Sequence, residues 1–288
     1  MDKFLISSDT TCDLHSNYCL TNNIDLHSLY YKFGEDEIYG GDKQLASSEF
    51  YRRMRNGEMP TTMATNPEDS KEIFSRRVKE GYDIIHIAFS SGLSSAYQNT
   101  SIAATEVMEE NPGRRITVID SLSASMGEGL LVFKAINFAK AGHSYDETVE
   151  YIENTKLNIS HQFTVDDLFH LHRGGRISKT TAILGTVVGI KPVMHMDNEG
   201  HLTVTGKVRG RKKSLVALVN NMLSSMGSHE NGTIMISHGD CIEDARFVEH
   251  LIHQKLSNVH ILINNVCPTI GAHSGPGTIA LFFEADHR

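Results

Sequence analysis

Short apolar runs alternate with amphipathic stretches through the first half of the chain. Three of these runs are typical of buried strands: residues 4–8, 82–89 and 115–121. Apolar residues at helical spacing follow two of the runs, at residues 101–110 and 126–141. Strand and helix in alternation predict an α/β fold whose parallel sheet is joined by right-handed crossover helices.

Helix-start signals agree with this pattern. Asn66 followed by Pro67 combines a preferred N-cap residue with a preferred first helical residue, and the helix that they begin is expected to end at Gly81. Ser144 and Glu147 have the spacing of a capping box, which predicts a further helix to about residue 158.

The second half has strands that adjoin along the chain. Residues 190–196 and 201–208 flank a polar turn at residues 197–200, which predicts a hairpin. Further strands are predicted at residues 232–237, 259–266 and 279–283, with helices at residues 214–226 and 242–256. Hairpin and crossover connections together predict a mixed sheet with helices.

Hydroxyl side chains fill the turn after the strand at residues 82–89. Residues 90–95 hold four serines, one glycine and no lysine. Turns at the carboxyl ends of strands bind ligands in open α/β sheets, because free backbone N–H groups face outward there. A polyphosphate would need several glycines and a lysine, so this turn suits a small head group with one negative charge or none. A second interpretation stays open, in which Ser94 only caps the following helix.

Two other strand ends carry the same chemistry. Residues 7–11 read SSDTT and residues 120–125 read DSLSAS. The carboxyl ends of parallel strands lie on one edge of a sheet, so we expect these hydroxyls to face a common crevice. Ordinary turn chemistry is the alternative explanation.

Composition excludes several classes of protein. The chain has 288 residues, of which 40% are hydrophobic and 22% charged, as in a globular protein of one large or two ordinary domains. No apolar run approaches the ~20 residues needed to span a bilayer, and the polar start does not resemble a signal peptide. The four cysteines form no CxxC motif, which favours a reduced, cytoplasmic protein. A net charge of −8 argues against nucleic-acid binding.

Motifs for nucleotide, metal or hydrolytic chemistry are missing. The nearest match to GxGxxG begins at Gly127 and lies inside a predicted helix, and neither a P-loop nor a GxSxG motif occurs. The 16 histidines include no HExxH motif and no set with metal-ligand spacing. We therefore expect neither a cofactor nor a metal site.

Positive charge concentrates between Arg173 and Lys213. This segment holds nine lysines and arginines against Asp197 and Glu199. It is interpreted either as a docking surface for an acidic or phosphate-bearing partner or as an ordinary solvated surface.

Several segments together resemble the DegV family. They are residues 6–14, 90–100, 118–132, 166–178, 183–194 and 270–283. The resemblance covers about residues 3–285 in the right order. Members of the family that resemble this chain are bacterial fatty-acid-binding proteins, which hold a fatty acid while a separate fatty acid kinase phosphorylates its carboxylate to an acyl phosphate. The resemblance implies two α/β domains, residues 1–158 and 159–288, with the lipid site at their junction.

The same resemblance implies site residues. Thr62 and Ser94 match the residues that hold the carboxylate, and His273 matches a histidine near the head group. Residues 62–66 read TMATN where the family has Thr-Ser-Gln-Pro-Ser, so Thr65 is an alternative to Thr62, and Ser125 is a further cavity candidate. The arginines implied to dock the kinase are Arg173, Arg176 and Arg209. Transient contact with a membrane surface is also expected.

A carrier is physically reasonable, and two other functions compete with it. Burying ~16 methylenes at roughly 0.8 kcal/mol each gives more than about 10 kcal/mol before ordering costs, so head-group contacts mainly set orientation. One competitor is a hydrolase or acyltransferase with Ser94 as nucleophile, His273 as base, and Asp9 or Asp120. The other is a lipid sensor without a kinase partner. Since no activated nucleophile is evident, we expect a protein without enzymatic activity.

Overall fold

A four-stranded parallel sheet occupies the first half of the chain. The computed structural model describes residues 3–35, 37–179, 189–229, 232–286 and 288. The strands are β1 (Phe4–Asp9), β2 (Asp25–His27), β5 (Asp83–Ala88) and β6 (Ile116–Asp120). Their order is β2-β1-β5-β6, and every pair is parallel. The predicted parallel sheet is confirmed.

Six α-helices belong to this half among the residues that the structure describes. They are α1 (Ser16–Thr21), α2 (Ser47–Arg55), α3 (Pro67–Lys79), α4 (Ala96–Glu110), α5 (Met126–Lys140) and α6 (Tyr145–Thr155). Asn66 caps α3 by accepting the N–H of Glu68 at 3.1 Å. Ser144 and Glu147 form both bonds of a capping box at the start of α6. Short 3-10 turns occupy Thr10–Cys12 and Lys156–Asn158.

A six-stranded mixed sheet occupies the second half. Its strands are β7 (Ile159–Thr164), β8 (Ile190–Met196), β9 (Leu202–Arg209), β10 (Thr233–His238), β11 (His260–Asn265) and β12 (Ile279–Glu284). The order is β11-β10-β12-β7-β8-β9, with β10 and β11 parallel and the other pairs antiparallel. The predicted hairpin is the β8–β9 pair, and the predicted mixed sheet is confirmed.

Four helices accompany the mixed sheet in the part of the chain that the structure describes. They are α7 (Phe169–Arg173), α8 (Arg211–Ser225), α9 (Ile242–His253) and α10 (Pro268–Ser274). The sequence pattern did not predict α10, nor the two-stranded antiparallel sheet of β3 (Tyr30–Phe33) and β4 (Pro60–Met63). Both additions border the site described below. Residues 180–188, which include much of the segment 183–194, lie outside the described residues.

Helix α5 packs against strands of both large sheets. One hydrophobic core joins Ile87 of β5, Leu131 of α5 and Phe282 of β12. Two glycines make this close packing possible. A Cβ at Gly127 would lie 2.2 Å from Nε2 of His161 in β7, and a Cβ at Gly129 would lie 2.3 Å from a backbone oxygen beside β1. The glycine pair that superficially matched a nucleotide motif is therefore a packing feature.

Helix length and hydropathy were also compared with the requirements of a bilayer. Among the described residues, none of the helices combines the length and apolar character needed for a membrane crossing.

Candidate functional site

A cavity of about 220 Å³ lies between the two large sheets. Most of its wall is apolar, and that wall includes Leu29, Phe89, Phe163, Leu171, Ile270 and Phe282. The turn after β5, strands β4, β7 and β12, and helix α10 all contribute residues. Such a wall excludes water from a ligand and favours an apolar chain over a polar substrate.

Polar side chains gather at one part of the wall. Oγ1 of Thr62, on β4, lies 2.8 Å from Nε2 of His273, on α10, and both residues line the cavity. Ser94, in the turn after β5, lines the cavity too. We call Thr62, Ser94 and His273 the polar end of the cavity. The structure thus brings all three head-group candidates to the same cavity.

His273 is a neutral residue in this setting. Burial, followed by the charges of Arg176 and Arg173, lowers its pKa to about 3. Its Nδ1 atom has no hydrogen-bond partner among the described residues. A Cβ at Gly174 would lie 1.9 Å from that atom, so a glycine is needed for the imidazole to fit. His273 therefore offers a hydrogen bond near neutral pH and no positive charge.

Two arginines supply the positive charge next to His273. Arg176 lines the cavity and donates from Nε and Nη2 to the carbonyl of Leu93 at 3.1 and 2.9 Å, and from Nη1 to the carbonyl of Gly174. Arg173 donates from Nη2 to the carbonyls of Pro60 and Ala272. Burial lowers the pKa of both guanidinium groups. Carbonyl partners leave both charges without a neutralising carboxylate in these contacts, which suits an anionic head group.

Arg209 lies elsewhere. It is exposed at the end of β9 and does not line the cavity. Of the three arginines assigned to partner docking, the structure places Arg173 and Arg176 beside the polar end and leaves Arg209 apart from it.

Ser94 combines the two roles considered from the sequence. Helix α4 begins at Ala96, earlier than expected, and its N-cap is Ser95, whose side chain makes no capping bond. Instead, Oγ of Ser94 accepts the N–H of Ala96 at 3.2 Å. Within the described part of the chain the Ser94 hydroxyl proton has no acceptor. Ser94 can therefore cap the helix and still donate to a ligand.

Ser125 and Thr65, the two further candidates, differ in position. Ser125 lines the cavity, but its Oγ donates to Oδ2 of Asp13 at 2.5 Å and lies 2.8 Å from Oγ of Ser237. Thr65 is 1% exposed and lies outside the cavity wall. The hydroxyl of Ser125 is thus already engaged, and that of Thr65 faces the protein interior.

The expectation of a common crevice for all strand-end hydroxyls needs correction. Ser8 and Thr11 donate to the carboxylate oxygens of Glu128 at 2.8 and 2.9 Å, deep inside the protein. Ser90 donates to the carbonyl of Gly200 at 2.9 Å. Gly92 permits this close contact, because a Cβ there would lie 2.7 Å from the same carbonyl oxygen. Of the serines in the three strand-end segments, only Ser94, Ser95 and Ser125 reach the cavity.

Sequence reasoning missed Glu128, which organises the first of those strand ends. The residue is fully buried on α5, where burial first and the charge of Asp9 second raise its pKa well above the usual range. We call Ser8, Asp9, Thr11 and Glu128 the Glu128 cluster. A lone acid among the apolar residues of the predicted helix at 126–141 was the available signal.

The residues proposed for a hydrolytic triad do not assemble. Oδ1 of Asp9 lies 3.6 Å from Nε2 of His86, and Nδ1 of His86 lies 3.0 Å from Oγ of Ser7. This buried Ser-His-Asp arrangement lies outside the cavity wall. His273 instead contacts Thr62. A catalytic triad requires its three groups to be in contact at the substrate, and this geometry does not provide that.

Two more observations concern ligands. No group of three or more histidine, cysteine or acidic side chains in the described ranges could hold a metal ion. Sequence reasoning also missed His161, Thr269 and Ser274 as cavity residues. Thr269 and Ser274 belong to α10, which the pattern did not predict, so the sequence did not indicate that either contacts the cavity.

Known proteins resemble this chain along its whole length. A family model described as an uncharacterised protein of the DegV family matches residues 3–286. A DegV domain-containing protein from Clostridium perfringens is 38% identical over 289 residues, which cover 100% of this chain and 99% of that protein.

Two solved structures share the fold. A DegV family protein from Thermus thermophilus, whose structure is described as fatty acid binding, has a TM-score of 0.88 at 26% identity, covering 98% of this chain and 99% of that one. The fatty acid kinase (Fak) B3 protein from Streptococcus pneumoniae, loaded with linoleic acid, has a TM-score of 0.87 at 22% identity, covering 99% and 100%.

Proposed function

The chain belongs to the DegV family, and from this premise we propose that it binds a long-chain fatty acid. The acyl chain lies along the apolar cavity wall, and the carboxylate lies at the polar end. The observation that carries the proposal is the cavity itself, whose mostly apolar wall also includes Thr62, Ser94 and His273. The Thermus thermophilus relative described as binding fatty acid supports the same ligand class.

The polar end has the groups that a buried carboxylate requires. A charge taken out of water must be hydrogen-bonded or paired. Ser94 has a hydroxyl proton to donate, Thr62 has a hydroxyl, and Arg176 carries positive charge in the same wall. His273 accepts from or donates to Thr62 and so fixes the rotation of that hydroxyl. Together these groups orient the fatty acid with its carboxylate next to the two arginines.

The protein then acts as a carrier that presents the carboxylate to a fatty acid kinase. A partner enzyme performs phosphorylation, and this chain performs none. Arg173, Arg176 and Arg209 are the proposed docking residues, with Arg209 the exposed member. Support comes from the Streptococcus pneumoniae protein of this fold, which is named as a fatty acid kinase B3 protein.

Native mass spectrometry of the purified protein tests the proposal. The expected spectrum contains a mass shift equal to one fatty acid, which denaturation removes. A shift that survives denaturation would indicate a covalent acyl-enzyme and the hydrolase alternative. Incubation of the loaded protein with ATP and a fatty acid kinase should yield acyl phosphate, whereas either protein alone should yield none.

A further inference from the structure

Arg173 joins the two elements that carry Thr62 and His273. Its Nη2 atom donates to the carbonyl of Pro60, on β4, at 3.1 Å and to the carbonyl of Ala272, on α10, at 3.0 Å. Pro60 lies two positions before Thr62, and Ala272 is the neighbour of His273. Arg173 itself is not one of the residues of the described cavity wall. One guanidinium nitrogen therefore bridges the two sides of the Thr62–His273 contact from outside the cavity.

Backbone pairing among the described residues does not attach β4 to α10. In that part of the chain β4 pairs with β3 alone, and their two-stranded sheet shares no strand with the two large sheets. The position of Thr62 relative to α10 therefore depends on side-chain contacts. One is the small hydrophobic core that joins Phe33 of β3 to Ala272, and the other is the bridge that Arg173 makes.

The carbonyl of Ala272 needs a donor from outside its own helix. The last four carbonyls of a helix have no intrahelical N–H to accept. The residue four positions after Ala272 is Pro276, which has no N–H to offer. Arginine side chains often satisfy such carbonyls at the carboxyl ends of helices, and Arg173 does so here. The bond fixes the end of α10 on which His273 lies.

The residue after Arg173 holds His273 from a second direction. A Cβ at Gly174 would lie 1.9 Å from Nδ1 of His273, so the backbone at Gly174 lies directly against the imidazole. The opposite ring nitrogen, Nε2, lies 2.8 Å from Oγ1 of Thr62. The imidazole is thus enclosed between the backbone that follows Arg173 and the hydroxyl of Thr62. A change in the Arg173 bridge would change the separation of Thr62 and His273.

We propose that Arg173 is a positioning residue for the ligand carboxylate, which acts through the Thr62–His273 contact. The inference rests on the proposed function and adds a second role to one of its docking arginines. The bridge holds β4 and α10 at a fixed separation, so that the Thr62 hydroxyl keeps the place at which it meets the carboxylate. Loss of the bridge should therefore weaken ligands that have a carboxylate and spare ligands that lack one.

Competition with a fluorescent fatty acid, cis-parinaric acid, on lipid-stripped protein tests the inference. The competitors are hexadecanoate and hexadecan-1-ol, which have the same chain length and differ in the head group. The ratio of their affinities isolates the contribution of the carboxylate, because the apolar chain contributes to both. In Arg173→Ala this ratio should fall about three- to tenfold, the equivalent of one net hydrogen bond.

The Thr62→Ala background shows whether Arg173 acts through Thr62. Once the hydroxyl is absent, a further Arg173→Ala change should alter the ratio less than about twofold, because residues that act through one contact are not additive.

Arg77→Ala is the matched control for a general loss of stability. Arg77, on α3, also bridges two elements, since it bonds Asp25 of β2, and it lies outside the cavity wall. This variant should lower the melting temperature and leave the ratio of affinities unchanged. If Arg173→Ala does not fold, Arg173→Lys, whose shorter side chain keeps the charge, takes its place in both backgrounds with the same expected results.

Three results would contradict the inference. A full three- to tenfold loss that persists in the Thr62→Ala background would mean that the charge of Arg173 acts on the carboxylate directly. An equal loss for the acid and the alcohol would mean that Arg173 only stabilises the fold. An unchanged ratio would remove the positioning role, and a raised KM of the kinase for the loaded protein would then leave Arg173 with docking alone.

Failure of the proposed function would look different. A wild-type protein that binds neither cis-parinaric acid nor hexadecanoate would refute fatty-acid binding itself. Binding by the wild type together with any of the three results above overturns only the role of Arg173.

Discussion

The hydroxyl side chains at two strand ends of the parallel sheet differ in their hydrogen-bond partners. At the end of β1, Ser8 and Thr11 donate to Glu128, and the Glu128 cluster is closed inside the protein. At the end of β5, Ser94 lines the cavity and keeps a proton to donate. Both strand ends are rich in hydroxyl side chains. They differ in whether the protein provides an acidic side chain that accepts hydrogen bonds from those hydroxyls. Where the protein supplies its own carboxylate, hydroxyls stabilise the fold; where it supplies none, they are available to a ligand.

The largest effect is expected from removing that internal carboxylate. Glu128→Ala leaves the hydroxyl of Thr11 unpaired, removes one of the two acceptors of the Ser8 hydroxyl, which also contacts the carbonyl of Ile87 at 2.8 Å, and creates a cavity. It should therefore cost about 3 kcal/mol or more of the free energy of unfolding. Urea denaturation measures this loss. Glu128→Gln is the matched control, because its amide keeps an acceptor for Ser8 and can donate to Thr11, and it should cost clearly less. Equal losses for both variants would show that the cluster does not depend on these hydrogen bonds.

Asp13 accepts a hydrogen bond from Ser125, a residue of the cavity wall. Its contribution to the free energy of unfolding should depend on pH. Burial raises the pKa of Asp13 from 3.8 to about 7, so the folded chain holds this proton more tightly than the unfolded chain. The stabilising contribution is complete below about pH 4 and is lost as the pH rises through 7. Between pH 5 and 8 the loss should be about 2.5 kcal/mol.

Asp13→Asn tests this dependence by urea denaturation at several pH values. Asparagine tolerates the left-handed backbone of residue 13, where φ is 53°, and it does not titrate. The variant should therefore lose less stability than the wild type as the pH rises from 5 to 8. Parallel curves for the two proteins would mean that Asp13 is not the group responsible.

At the end of β5, a substitution should change ligand affinity strongly and stability little, which is the reverse of the result expected for Glu128. Ser94→Gly removes the hydroxyl but keeps a residue that is tolerated at helix starts, so stability without lipid should change by only a few tenths of a kcal/mol. Affinity for a fluorescent fatty acid should fall at least about tenfold, because a hydrogen bond to a charged group is lost.

Thr62→Ala should weaken binding similarly. The double variant should lose less than the sum of the two losses, because both hydroxyls hold one carboxylate. If Ser94→Gly binds as tightly as the wild type, the carboxylate lies elsewhere.

The smallest effect on binding is expected at the exposed arginine. Arg209→Ala should change fatty-acid affinity less than about twofold, yet lower the initial rate of acyl-phosphate formation by a partner kinase by about two- to fivefold, because exposed interface charges act mainly on encounter. Arg176→Ala is the informative comparison, since Arg176 holds the Leu93 carbonyl in the cavity wall. A loss of lipid in Arg209→Ala would refute the distinction between the two arginines.

Local patterns predicted much of the fold because their physical causes are local. Asn66 with Pro67, and Ser144 with Glu147, act within one helical turn, and both start signals are present in the structure. Alternation of strand and helix identified the parallel sheet for the same reason. Helix α10 escaped prediction because it is seven residues long and holds two glycine or proline residues, Pro268 and Gly271.

Contacts between residues that are distant along the chain were the part of the site that the sequence did not predict. Thr62 and His273 are 211 positions apart and meet only because β4 and α10 border the same cavity. Ser8 and Glu128 are 120 positions apart, and nothing near Ser8 in sequence shows that its hydroxyl is already used. The resemblance to a family gave Thr62, Ser94 and His273 as head-group candidates. The burial of the Glu128 cluster and the hydrogen bonds of Ser125 could be seen only in the structure.

Helix α5 has a consequence for how the protein unfolds. Gly127 lets it approach the mixed sheet and Gly129 lets it approach the parallel sheet. The hydrophobic core that contains α5 therefore joins residues of both sheets, although each half also has a core without this helix. Loss of one sheet would expose the face of α5 that the other sheet needs. We therefore expect a single cooperative melting transition, which a bound fatty acid raises as a whole by mass action. A molecule divided into two sheets would then respond to its ligand as one thermodynamic unit.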